Sequence, residues 1–106
     1  MFTDSQKHIA LRFAESLSQR KYHMAYSMCS RLFQSRTSIE TMKHDFEHII
    51  PNDWGKVDPI EIVENDQFPF IYIVLGGEVY SEAIMISSFI MEDNEIKIHD
   101  YEFGRP

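Results

Sequence analysis

The N-terminal half of the chain repeats apolar residues with the period of an α-helix. Ile9, Phe13 and Leu17 recur every four residues, which gives residues 3–19 one apolar face. Residues 3–5 are of the types that commonly cap a helix N-terminus. We therefore predict a first helix over residues 3–19 that packs its apolar stripe against a core.

Two further helices are predicted before residue 51. Residues 22–33 carry a broad apolar face, and residues 38–50 carry apolar positions at helical spacing. Thr37 and Glu40 have the spacing of a capping box, which marks the start of the third helix. Pro51 follows the last apolar pair and indicates that the helix ends there.

After residue 54 the pattern changes from helical to extended. Runs rich in aromatic and β-branched residues predict strands, and two short polar or glycine segments between them, Gly76-Gly77 and Glu92-Asp93-Asn94, predict hairpin turns. The predicted strands span residues 57–63, 68–75, 79–91 and 95–103. The fold class is therefore α+β, a single domain over 1–106 with helices in 3–50 packed on a curved antiparallel sheet of about four strands in 57–103.

The longest predicted strand is apolar on both faces. Simple alternation predicts Ile84, Ile86 and Ile90 on one face. It predicts Val79, Ala83, Met85, Phe89 and Met91 on the other. One face would pack on the helices, and an uncovered apolar face usually marks a partner surface, so we expect a protein partner or a homodimer there.

The net charge of −7 is unevenly distributed over the 106 residues. Residues 1–50 hold seven basic and five acidic side chains, a net charge of +2, whereas residues 51–106 hold three basic and twelve acidic ones, a net charge of −9. An acidic surface repels nucleic acids and anionic membranes and attracts basic proteins. We therefore expect a basic protein partner, and neither a nucleic acid nor a membrane.

The remaining composition points to a cytoplasmic protein. There is one cysteine, Cys29, so no internal disulfide can form. No apolar run approaches the roughly 18–20 residues of a membrane helix, and the first residues lack the pattern of a signal peptide.

Three features together resemble the nuclear transport factor two-like superfamily, which includes the ketosteroid isomerases. They are the opening helix with Phe13, the short helical segment Lys21-Tyr22-His23-Met24-Ala25-Tyr26-Ser27-Met28, and the long closing strands that end at Tyr101-Glu102-Phe103. The resemblance implies a cone-shaped fold, a sheet curved around a long helix, with a pocket at its open end. The candidates for lining that pocket are Tyr22, Tyr26, Trp54, Tyr72, His99 and Tyr101.

The sequence contains no motif that assigns a reaction. His44-Asp45-Phe46-Glu47-His48 matches the H-x-x-E-H pattern, but a zinc site needs a third protein ligand, so a solvated helix flank is the favoured interpretation. Cys29 lies on an apolar helical face and is expected to be a buried structural thiol. The aspartate and tyrosine constellation of ketosteroid isomerases is not matched. We expect no catalytic residue, no metal and no cofactor.

Two functions remain open at this point. The first is a non-catalytic binding module, most concretely an immunity protein that neutralises a basic toxin domain. Its predicted contact residues are Glu78, Tyr80, Glu82, Glu92, Asp93 and Glu95. The alternative is a small-molecule-binding protein or an isomerase- or dehydratase-like enzyme that uses the cone pocket, with Tyr26, Tyr72, His99 and Asp100 as the residues to test.

Overall fold

Four helices precede a four-stranded antiparallel sheet in the structure, a computed structural model that describes residues 2–64, 70–77 and 81–104. The sheet order β1-β2-β3-β4 follows the chain, so the predicted α+β fold with helices first is confirmed. The helices are α1 (Asp4–Ser18), α2 (Tyr22–Ser27), α3 (Arg31–Arg36) and α4 (Ile39–Ile49), and the strands are β1 (Asp58–Glu64), β2 (Ile71–Gly76), β3 (Ser81–Glu92) and β4 (Glu95–Gly104). None of the helices within these described residues is long and apolar enough to cross a membrane.

Helix α1 forms as its apolar spacing predicts. Thr3 caps it reciprocally with Gln6, because the Thr3 Oγ1 accepts the Gln6 N–H at 3.1 Å and the Gln6 Oε1 accepts the Thr3 N–H at 2.9 Å. Phe13 and Leu17 are fully buried. The burial of Phe13 and Leu17 in the core holds α1 against the sheet.

The predicted helix over residues 22–33 is wrong, because the chain breaks it at residues 28–30. The N–H of Ile98 on β4 donates to the Met28 carbonyl, and the N–H of Ser30 donates to the Ile98 carbonyl, both at 2.8 Å. Ser30 then caps α3 by accepting the Phe33 N–H at 3.1 Å. A long-range pairing with the sheet edge therefore replaces the local helical hydrogen bonds.

Helix α4 begins one residue later than the predicted capping box implies. The side chain of Ser38, not that of Thr37, accepts the Thr41 N–H at 3.1 Å. Met42 and Phe46 form the buried side of the helix.

Two register irregularities in the β3–β4 pair change the faces of β3. Ser87 is an extra residue on β3 and His99 is an extra residue on β4. Before them, Ile84 and Ile86 are fully buried on the side that faces the helices. After them, Phe89 pairs with Ile98 on this same side. The predicted faces of Phe89, Met91 and Ile90 are therefore wrong, because simple alternation cannot anticipate a bulge.

The two hairpins differ in their turns. Asp93 and Asn94 have φ values of 52° and 65°, the left-handed pair of a two-residue type I′ turn, which confirms the predicted turn at residues 92–94. Gly76 pairs with Ser81 and so belongs to β2, not to a two-glycine turn as predicted. Residues 78–80 lie outside the described part.

The core lies between the helices and one face of the sheet. Rings from α1, α4 and β4 meet there, with Phe46 at 5.9 Å from Phe103 and Phe13 at 5.1 Å from Tyr101 between centroids. The largest fully buried side chains are Phe13, Phe46, Leu17, Met42, Ile50, Ile71, Ile73, Leu75, Ile84, Ile86 and Ile98. Since all of the described helices contribute to this side, the opposite face of the sheet is left without a helix among the described residues.

Candidate functional site

The sheet face opposite the helices carries an apolar centre with a carboxylate at each end. The strand register places its residues in two neighbouring rows across the four strands. We call these two rows the open sheet face: Glu61, Val74, Ala83 and Gly104 in one, and Val63, Tyr72, Met85 and Glu102 in the other.

Glu61 lies at the β1 end of this face and Glu102 at the β4 end, and both are exposed. Between them, Val63 is 37 % exposed, Tyr72 and Met85 are half-buried, and Val74 is buried. An apolar centre that is partly accessible, with an exposed glutamate at each of two opposite ends, therefore lies on this face.

Two glycines let long apolar side chains lie across the open sheet face. A Cβ at Gly76 would be 2.5 Å from the Ile60 Cδ1, and a Cβ at Gly104 would be 2.6 Å from the Met85 Cε. Ile60 itself is 63 % exposed. The glycines therefore widen the apolar surface, because any larger residue there would displace these side chains.

A groove of about 610 Å³ lies between α3, α4 and β4. We call it the α4–β4 groove. Aromatic rings contribute to its apolar part, and its histidine, carboxylate and arginine side chains are exposed. Its lining residues are Phe33, Arg36, Thr37, His44, Asp45, His48, Ile49, Asp100, Tyr101, Glu102 and Phe103.

Tyr101 is held in this groove by three aromatic rings, those of Phe13, Phe33 and Phe103, at 5.1–5.2 Å between centroids. Burial raises the pKa of its phenol, and the negative charges of Asp45 and Asp100 raise it further. The hydroxyl therefore stays protonated at neutral pH.

The six predicted pocket residues do not line one common cavity in the described part of the chain. Tyr22 donates to Glu47 Oε2 at 2.7 Å and faces a different groove, and the Tyr26 hydroxyl is bonded to the Gln34 and Thr37 carbonyls at 3.0 and 2.8 Å. Tyr101 lines the α4–β4 groove.

The other three candidates lie apart from one another. Trp54 packs half-buried against the core, and Tyr72 lies on the open sheet face. The His99 Nδ1 lies 3.0 Å from the Ser30 Oγ at the β4 bulge. Tyr26 thus links α2 to the C-terminal end of α3, and His99 links β4 to Ser30, the N-cap of α3.

The predicted partner-binding acids are placed differently from one another. Glu82 pairs with Leu75 on the helix side and is only 7 % exposed, so little of its side chain is accessible to a partner. Glu92 accepts the Arg31 N–H at 3.0 Å, Asp93 pairs with Arg31 at 3.1 Å and Glu95 pairs with Lys97 at 3.1 Å.

Glu78 and Tyr80 lie outside the described residues. Sequence reasoning named neither Glu61 nor Glu102 as partner-binding residues. Only the strand register places these two side chains on the open face, although an acidic residue within an apolar strand run is a signal that could have drawn attention to them.

In the described part of the chain, the histidine pair is not grouped with a third possible metal ligand, and the cysteine is buried. His44 and His48 stack at 6.4 Å between ring centroids, and no group of three histidine, cysteine, aspartate or glutamate side chains there could hold a metal ion. Cys29 is 2 % exposed, and burial raises the pKa of its thiol to about 12. The thiol therefore stays protonated, as expected of a structural cysteine.

Comparisons with protein-family models, with curated proteins and with solved structures found no match to this chain. The resemblance to the nuclear transport factor two-like superfamily stays a prediction. Function is therefore argued from the two surfaces that the fold builds, the open sheet face and the α4–β4 groove.

Proposed function

We propose that this chain is a non-catalytic protein-binding module for a basic protein, most concretely a cytoplasmic immunity protein that neutralises a basic toxin domain. The observation that carries the proposal is the open sheet face, whose apolar centre ends in Glu61 on one side and Glu102 on the other. Apolar centres with charged margins are the usual layout of protein interfaces.

The charge distribution supports a basic partner. The sheet half, residues 51–106, holds the net charge of −9. Glu61, Asp100 and Glu102 are exposed on it and form no ion pair with any described residue. Such carboxylates accelerate association with a basic surface, and they would break no ion pair with a described residue when they bind it.

The alternative is a small-molecule-binding protein. The volume of the α4–β4 groove, about 610 Å³, favours it, because small-molecule sites typically span about 300–1,000 Å³. Of the four residues named for this function, Asp100 lines the groove, whereas Tyr26, Tyr72 and His99 do not. The binding module therefore has the stronger support.

The test is capture of partners by the tagged chain from its native lysate at low and at high salt. Two charge-reversed variants accompany the native chain: Glu61→Lys on the open sheet face, and Glu15→Lys on the exposed side of α1 as a matched control. We expect one stoichiometric basic protein, depleted at high salt and by Glu61→Lys but retained by Glu15→Lys.

Three results would reject this function. They are recovery of no basic protein, recovery of a second copy of the chain as the sole partner, and equal recovery by the two variants. A thermal shift with a small molecule in the absence of any protein partner would favour the alternative.

A further inference from the structure

The outer edge of β4 is a sheet edge that is covered along only part of its length in the described chain. At Ile98 the edge is covered, because the Ile98 N–H and carbonyl pair with Met28 and Ser30 at 2.8 Å. These bonds show that the backbone groups of Ile98 point away from β3. The strand continues six residues beyond this pairing, to Gly104.

The backbone groups of Tyr101 and Phe103 also point outward. On a strand, residues whose side chains share one face direct their N–H and carbonyl groups to the same edge. Tyr101 and Phe103 share the helix side with Ile98. The intervening Asp100 carbonyl lies 3.5 Å from the Ser87 Oγ of β3 and so points inward.

Within the described residues, no hydrogen bond reaches the outward groups of Tyr101 and Phe103. Unpaired edge groups of this kind are a template for an additional strand. The α4–β4 groove runs along this same stretch, since Asp100, Tyr101, Glu102 and Phe103 form one of its walls. The groove is thus a space beside a strand that has free hydrogen-bonding capacity.

The charges of the groove select a basic occupant. Among the described residues, three carboxylates line it, those of Asp45, Asp100 and Glu102, against one guanidinium, that of Arg36. Arg36 is directed to the β4 backbone, where it donates to the His99 carbonyl at 3.4 Å. A second copy of this chain would bring its own acidic β4 against these carboxylates, so like charges oppose self-pairing along this edge.

We propose that the α4–β4 groove binds an extended basic segment of a partner protein, which adds to the sheet as a fifth strand beside β4. The inference rests on the proposed function, because the segment belongs to a partner of the same basic class. Backbone hydrogen bonds to Tyr101 and Phe103 would supply affinity.

Side-chain alternation would supply selectivity. Asp100 and Glu102 belong to the open face of β4, and the rings of Phe33 and Tyr101 belong to the helix side. Alternate side chains of an added strand point to opposite faces. Lysine or arginine at every second position would meet the two carboxylates, while the apolar residues between them would cover the rings.

The probe is an acetylated and amidated eight-residue peptide in which lysine and valine alternate, titrated into the isotope-labelled chain and followed by NMR amide exchange. A lysine–proline peptide of equal charge is the control, because proline donates no backbone hydrogen bond. We expect the alternating peptide to bind and to slow exchange of the Tyr101 and Phe103 amides at least about tenfold. The Glu102 amide, which already pairs with β3, should change little.

Two variants test the charge part of the proposal. Asp45→Asn combined with Asp100→Asn should weaken peptide binding about fivefold at low salt, whereas Glu15→Gln on α1 should leave binding unchanged. Peptide binding without slower exchange at Tyr101 and Phe103 would overturn strand addition, as would equal binding of the two peptides or no binding at all. These results concern the groove alone, and the proposed function is judged separately by Glu61→Lys in partner capture.

Discussion

Cys29 and Tyr101 carry the natural candidates for a nucleophile or a base, and burial disfavours the ionised form of both groups. The Cys29 thiol and the Tyr101 phenol both have pKa values raised by burial. Each is surrounded by core residues, with the Cys29 Sγ directed to the Ala25 carbonyl at 3.6 Å. At this scale the structure favours packing roles for both groups over catalytic ones.

Removing the hydroxyl of Tyr101 should change stability only at alkaline pH. Its folded-state pKa lies above the value of about 10 in the unfolded chain, so its contribution is complete below pH 10 and is lost as the pH rises further. Tyr101→Phe retains the ring contacts and should match the native free energy of unfolding at pH 7. At pH 11 the variant should be the more stable of the two in urea denaturation.

An identical alkaline loss of stability in the native chain and in Tyr101→Phe would contradict this account of the phenol. Absorbance titration of phenolate provides an independent check. The native chain should show one tyrosine, absent from the variant, that ionises only on unfolding.

At the scale of elements, α4 provides a sharp test of a helix cap. The Ser38 hydroxyl accepts the Thr41 N–H, whereas the neighbouring Thr37 side chain caps nothing among the described residues. Ser38→Ala should therefore lower the free energy of unfolding by about 1 kcal/mol. Thr37→Ala is the matched control and should change it by less than about 0.5 kcal/mol. Denaturant titration measures both, and the reverse order would place the cap at Thr37.

The link between α1 and β1 should be sensitive to acid. Glu64 accepts the Phe2 N–H at 3.0 Å and pairs with Lys7 at 2.7 Å, and its bond to Lys7 is the main cause of its lowered pKa. Because the folded-state pKa lies below that of the unfolded chain, the contribution of Glu64 is present above about pH 4.3 and is lost as the pH falls through the folded-state value.

Glu64→Gln should therefore be less stable than the native chain at pH 7, and the two should converge near pH 2. Urea denaturation across this range measures the difference, with Glu15→Gln, an exposed α1 variant, as the control. A difference between Glu64→Gln and the native chain that stays constant over the whole range would show that the ion pair is not responsible.

Local pattern accounts for most of these elements, and long-range pairing accounts for the exceptions. The α1 stripe and the type I′ turn at Asp93-Asn94 depend on nearby residues, so the sequence alone predicts them. The break between α2 and α3 depends on Ile98, which is some seventy residues away in sequence. The altered faces of β3 depend on how it pairs with β4, and no periodicity within β3 reports that.

At the scale of the whole molecule, charge was predictable from the sequence but the geometry of the site was not. Counting residues locates the acidic half of the chain. It does not distinguish Glu82, which is buried on the helix side, from Glu61, which is exposed on the open sheet face. Nor does it reveal that the backbone groups of Tyr101 and Phe103 point outward. This direction depends on the bulge at His99, which puts both residues on the same side of the sheet as Ile98.

The open sheet face and the outer edge of β4 adjoin one another, and exposed carboxylates lie on both. Glu102 belongs to both, since it ends a row of the open sheet face and also lines the α4–β4 groove. A basic partner could place a folded surface on the face and an extended segment along the edge. Because Glu61 belongs only to the face and Asp45 only to the groove, substitutions at these two positions separate the two contacts.

The measurement that tests the central claim most directly is the dissociation constant of the captured basic partner by isothermal titration calorimetry. It would be determined for the native chain, for Glu61→Lys and for Glu15→Lys. We expect Glu61→Lys to weaken binding at least about tenfold, or about 1.4 kcal/mol, and Glu15→Lys to leave it within about twofold. Equal dissociation constants for all three chains would contradict the assignment of the open sheet face as the binding surface.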